Sequence, residues 1–207
     1  FSTAGKRQID DPRNSLFQEY VRLLRGLQPK CFVMENVSGM VKGNMKHVFA
    51  IAMRELKASG YRVKCQLMNA MYFGVPQSRE RVIFIGVRND LDIEVSHPIG
   101  QTQSITVRDA WEGVEDDGTG DRVGSHTKIW HEMLTIGPGE ASEKHYSFRR
   151  CRYDKPCSTI RKALGMGHYH VWHPVEHRVI TLAECKRVAS FPDAFQFIGK
   201  IGEAWDR

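Results

Sequence analysis

Apolar residues in the first third of the chain recur at two different periods. Leu16, Phe17, Tyr20, Val21, Leu24 and Leu27 follow helical spacing. Ser15-Leu-Phe-Gln18 reads as a capping box ahead of them, and Pro29 closes the helix. Residues 31–34 (Cys-Phe-Val-Met) form a short buried strand. A second helix is predicted over 44–58, with Val48, Ile51, Ala52 and Leu56 inward and Gly60 as its stop. From Tyr61 the period drops to two: Tyr61, Val63, Cys65 and Leu67 alternate with Arg62, Lys64 and Gln66. "RVIFIGV" (81–87) is a further, mostly apolar strand. Helix–strand–helix–strand order predicts an α/β sheet with helices on its faces.

Past Asn89-Asp90 the periodicity fades. "EDDGTGD" (115–121) reads as an acidic linker, and 122–178 is irregular and rich in Arg, His and Gly. Order returns at Thr181-Leu-Ala-Glu184, a second capping box opening a short helix that Pro192 ends. The predicted layout is a body over 1–120, a basic insert over 121–178 and a return segment over 179–207.

Composition narrows the function classes. Hydrophobic content of 41% and charged content of 26% are those of a globular domain. No apolar run approaches the roughly 20 residues needed to span a bilayer, so no membrane role is expected. The start, "FSTAGKRQIDD", is no signal peptide and lacks an initiator Met, which implies a chain beginning inside a longer protein. Five cysteines without a CxxC pair suit reduced thiols. A net charge of +6 leans toward a polyanionic partner.

Two stretches carry candidate chemistry. Glu35 and Asn36 end the first strand, where ligands of open α/β sheets sit. A partly shielded carboxyl there can share a proton with a ring nitrogen, although the dipeptide alone favours a strand-end Glu that caps a nearby helix. In "GVPQSRERV" (74–82), Gln77, Arg79 and Arg81 alternate, which sends an amide and two guanidinium groups to one face. That row suits a phosphate or a base edge. A solvated edge strand is the plainer alternative.

"FSTAGKR", "MENV", "PQSRERV" and "TLAECKRVASFPDAF", in this order and spacing, resemble the DNA (cytosine-5) methyltransferase family. The resemblance implies part of a Rossmann-like, S-adenosylmethionine-dependent methyltransferase fold over 1–120, a target recognition domain over 121–178, and a segment rejoining the catalytic domain over 179–207. It implies that Glu35 grips a flipped cytosine at N3 and its exocyclic amine, that Asn36 holds the loop, and that Arg79 and Arg81 position the cytosine O2 and nearby backbone. Gln77 belongs to the same motif and is expected at the DNA. Ser2 would lie near the target phosphate, within a mobile loop that also carries Lys6. In the insert, Thr159 and Ile160 match a Thr-plus-aliphatic signature set against DNA, and Arg149, Arg150, Arg152 and Lys155 are candidate phosphate contacts. Glu184 and Arg187 resemble scaffold positions between domains, with an exposed i,i+3 ion pair as the alternative.

The nucleophile of the family lies in a Pro-Cys dipeptide shortly before the "FS" that opens this chain, and none of Cys31, Cys65, Cys151, Cys157 or Cys185 replaces it by motif. The main S-adenosylmethionine motifs are likewise absent. The expectation is therefore a fragment of an enzyme, inactive alone, acting on double-stranded DNA in the cytoplasm of a bacterium, near the nucleoid; no metal site is expected, because His168, His170, His173 and His177 show no familiar ligand spacing. Competing readings are a non-catalytic regulatory homologue and a tRNA cytosine-5 methyltransferase.

Overall fold

The computed structural model describes residues 15–41, 46–101, 103–120, 126, 128–144, 148–160 and 171–198. In chain order these form α1 (Ser15–Leu27), β1 (Cys31–Val37), α2 (Lys46–Ala58), β2 (Tyr61–Asn69), β3 (Gln77–Ser78), β4 (Glu80–Arg88), α3 (Val107–Ala110), α4 (Lys128–Thr135), β5 (Cys157–Ser158) and α5 (Leu182–Val188). They divide into two compact units. The first comprises Phe1–Asn69 and Glu80–Ile99, and the second Ala70–Arg79 and Gly100–Arg207. The divisions between these units fall beside Asn69, Arg79 and Ile99.

In the first unit three strands lie in the order β1-β4-β2, each neighbouring pair antiparallel. Register fixes the two faces. Phe32 lies opposite Gly86, Met34 and Cys65 opposite Phe84, and Val63 opposite Gly86, so these residues share one face. Onto that face α1 places Val21 and Leu24, and α2 places Ala52 and Leu56, making one apolar core with Tyr61 and Val82. Phe32 meets Tyr61 edge-on with ring centroids 5.2 Å apart. The close fit requires Gly86, because a Cβ there would overlap the Phe32 ring.

Three boundaries differ from those predicted. β1 continues through Glu35 and Asn36 to Val37, since β4 supplies ladder partners for all seven residues. The α1 helix is closed by Gln28 in a left-handed conformation (φ 44°), one residue before Pro29. The α5 helix stops at Val188, followed by Ser190 at φ 62°, ahead of Pro192.

The second unit packs α3 and α5 over a core that includes Trp111, Cys151, Cys157, Val171 and Ile180. Residues 116–119 are not a linker. Asp116 and Asp117 close their own turns on Gly118 and Thr119, while Thr119 Oγ1 and Asp117 Oδ2 accept from the Leu182 and Ala183 amides at 2.7 and 3.1 Å. The loop thus completes the N-terminus of α5, whose Thr181–Glu184 capping box forms as predicted. A third capping box, Thr106–Asp109 on α3, escaped the sequence reading.

Replacing Gly86 by Ala is expected to destabilise the first unit by about 1–3 kcal/mol through overpacking against Phe32. Urea unfolding measures this loss, and adding Phe32→Leu should return part of it.

Candidate active site and nucleic-acid interface

Glu35 sits opposite Ile83 in the β1–β4 ladder, and Arg81 lies two residues before Ile83 on the same face. That diagonal placement is within reach of a long side chain. Arg81 Nε approaches Glu35 Oε1 at 2.5 Å, on the sheet face opposite the helices, although the atoms are not aligned as a hydrogen bond. The pair is asymmetric in exposure: the Arg81 side chain is 20% exposed and that of Glu35 is 53%. The carboxylate is thus more open to solvent than predicted, while its partner is anchored, with Nη1 donating to the Glu80 carbonyl at 2.8 Å. Asn36 Oδ1 accepts from the Val37 amide at 2.8 Å, which fixes the strand end that carries Glu35.

The predicted single row of Gln77, Arg79 and Arg81 does not form. The strand is interrupted at Arg79, because β3 pairs in parallel with β5 whereas β4 pairs with β1 and β2. Gln77 is buried, accepting from the Ile160 amide and donating to the Val188 carbonyl, each at 3.3 Å. Arg79 Nη1 donates to the Ile160 carbonyl at 3.3 Å, and Thr159 Oγ1 donates to the Ser78 carbonyl at 2.7 Å. The structure therefore brings Gln77, Arg79, Thr159 and Ile160 together within the second unit.

The basic stretch is not uniform. Arg149 and Lys155 are exposed, and Arg152 is exposed but paired with Asp154 at 2.6 Å. Arg150 is buried and donates to the carbonyls of Met133, His173 and Glu176 and to His177 Nδ1. Those partners make it an internal brace and remove it from the expected set of phosphate contacts. Ser2, Lys6, His168 and His170 lie outside the described residues.

Sequence reasoning missed a buried polar cluster in the second unit. Arg178 donates to both carboxylate oxygens of Glu184 at 2.8 and 2.9 Å, with both side chains nearly solvent-free. Arg187 instead pairs with Asp193 at 2.7 Å, so the exposed i,i+3 ion pair with Glu184 does not form. His173 stacks on Trp111 (5.7 Å, 8°), accepts at Nδ1 from the Val175 and Glu176 amides, and places Nε2 3.2 Å from the Tyr153 hydroxyl. Two donors at Nδ1 select the tautomer protonated at Nε2. Burial pushes the His173 pKa below its ordinary value, with Arg178 nearby acting in the same direction. The sequence offered one signal for this cluster, the Glu at the third position of the α5 capping box.

Among the described residues no helix is long and apolar enough to cross a membrane, and no three His, Cys, Asp or Glu side chains converge as metal ligands.

Comparison with known proteins places this geometry. A solved structure described as a DNA modification methyltransferase encoded within an E. coli prophage superposes with a TM-score of 0.67 at 24% identity, over 91% of this chain and 66% of that one. The fold is accordingly the α/β fold of these methyltransferases. The C-5 cytosine-specific DNA methylase family matches residues 1–206, and the chain belongs to that family. The type II methyltransferase M.BspRI of Lysinibacillus sphaericus is 32% identical over 208 residues, covering 95% of this chain and 49% of the relative. M1.HphI of Haemophilus parahaemolyticus is 33% identical over 222 residues, covering 97% and 58%. The chain spans about half the length of the curated relatives it matches.

Glu184→Gln should cost about 3 kcal/mol in urea unfolding followed by tryptophan fluorescence, because Arg178 keeps its buried charge but loses its one well-buried carboxylate partner, leaving the more exposed Glu176 and Asp116. The pH dependence has a defined sign. The folded His173 pKa is lowered, so stability is fully present above the ordinary His pKa of about 6.5 and is lost as pH falls below it toward the folded value. His173→Gln should flatten that part of the curve of melting temperature against pH.

Proposed function

We propose that the protein is part of a DNA (cytosine-5) methyltransferase, which transfers a methyl group from S-adenosylmethionine to C5 of a cytosine extruded from double-stranded DNA, in restriction–modification. Its proposed setting is the bacterial cytoplasm, at the nucleoid. Family membership and the type II methyltransferase names of its relatives support the reaction class. The observation that carries the site assignment is the Glu35–Arg81 pair on the open face of the sheet.

The chemistry follows from that pair. Cytosine resists attack at C6 until N3 gains a proton or a strong hydrogen bond, which draws electron density from the ring. A carboxyl at Glu35 shares a proton with N3 and accepts from the exocyclic amine. Arg81 holds that carboxyl in one orientation and keeps guanidinium N–H groups for the base's O2. Arg79 acts through Ile160, and Asn36 through the Val37 amide. Arg149, Thr159 and Ile160 belong to the DNA-facing surface in this reading, with Ser2 and Lys6 near the target phosphate.

The attacking thiolate is a separate requirement. Cys157 follows Pro156, the sole Pro-Cys pair in the sequence, yet it is fully buried. Its hydrogen bond with Cys151 and its burial push its pKa well up, the reverse of what a nucleophile needs. Burial likewise raises Cys65 to about 11 and Cys185 to about 12. S-adenosylmethionine supplies the methyl group when bound.

In the protein at its full natural length, Glu35→Gln should lower tritium transfer from labelled S-adenosylmethionine into DNA by about 10²–10⁴-fold while duplex binding is retained. Unchanged turnover would remove Glu35 from the mechanism.

A further inference from the structure

We infer that Gln77 is a positioning residue for sequence recognition, acting on the Thr159–Ile160 segment from inside the second unit; the inference rests on the proposed DNA methyltransferase reading. Gln77 is 4% exposed, so its side chain has no route to a base edge. Its amide does two things at once. Oε1 accepts the Ile160 N–H at 3.3 Å, and Nε2 donates to the Val188 carbonyl at the end of α5, also at 3.3 Å. The side-chain amide supplies that acceptor and that donor from one planar group.

The rest of the Ile160 peptide is held from the same short stretch. Its carbonyl accepts from Arg79 Nη1, and the preceding Thr159 hydroxyl donates to the Ser78 carbonyl at 2.7 Å. Two parallel pairings, Gln77 with Cys157 and Ser78 with Ser158, set the register, and the Cys157 amide donates to the Pro76 carbonyl at 2.9 Å. Residues 76–79 therefore fix the main chain of 157–160 residue by residue, while the side chains of Thr159 and Ile160 remain half-buried. A segment that reads DNA must hold its backbone against the competing geometries offered by incorrect base pairs. Gln77 supplies that hold without contributing a DNA contact.

The test uses the protein at its full natural length, S-adenosylmethionine, and a pool of duplexes randomised around one cytosine, with methylated products read by bisulfite sequencing. Gln77→Met keeps the side-chain volume and removes both hydrogen bonds. The expected result is about a tenfold loss of discrimination between the preferred sequence and its single-pair variants, with KM for duplex raised and kcat within about twofold of wild type. Hydrogen exchange at the Ile160 amide should lose protection. Val188→Ala is the comparison, since it opens the second unit's core while leaving the Val188 carbonyl in place. At an equal fall in melting temperature it should retain discrimination. If Gln77→Met discriminates like wild type, or no worse than Val188→Ala, the inference is overturned. If wild type methylates no duplex in the pool, the methyltransferase reading fails instead, and exchange at Ile160 still reports whether Gln77 holds that amide.

Discussion

Alternation along β4 governs the first unit. This strand has a neighbour on each side, so its backbone groups are committed to the ladder and its side chains can only divide between two faces. Val82, Phe84 and Gly86 point to the helices and close the core. Arg81, one step out of phase, is thereby obliged to lie on the other face, beside the strand that carries Glu35. The same alternation that buries an aromatic ring under α2 delivers a cation to a carboxylate. Packing and chemistry are two outcomes of one pattern.

The second unit solves a different problem. Its elements are short, so apolar area alone supplies less of the order than in the first unit. Polar side chains take over much of the connecting work: Arg150 gathers three carbonyls and an imidazole, Arg178 meets Glu184, and Asp117 and Thr119 finish the start of α5. Groups of this kind stabilise only while every partner stays in place, because a buried donor or charge left alone is costly. The framework is specific rather than forgiving.

Periodicity exposed the first unit in the sequence almost whole. Alternation from Tyr61 and the helical repeat from Leu16 both reflect local geometry, and local geometry is what a one-dimensional pattern records. The pairing of Glu35 with Arg81 was only half legible: both residues stood out, but the register that joins them is a property of two strands together. The break at Arg79 was invisible, since nothing in "PQSRERV" announces that its first half pairs with Cys157 and its second with β1 and β2. Arg150 misled for a related reason. A guanidinium in a basic run looks solvated until the carbonyls that receive it converge from segments 17 to 27 positions away.

The passage from β3 to β4 turns on one intervening residue, Arg79. Strand phase is binary, so chain length there behaves like a reading frame. A single-residue insertion or deletion at that step, taken up within β4, would carry Arg81 under the helices and bring Val82 into the open. Ordinary loops absorb such changes by bulging outward. This one is held at both ends, which makes it a place where length variation is not tolerated.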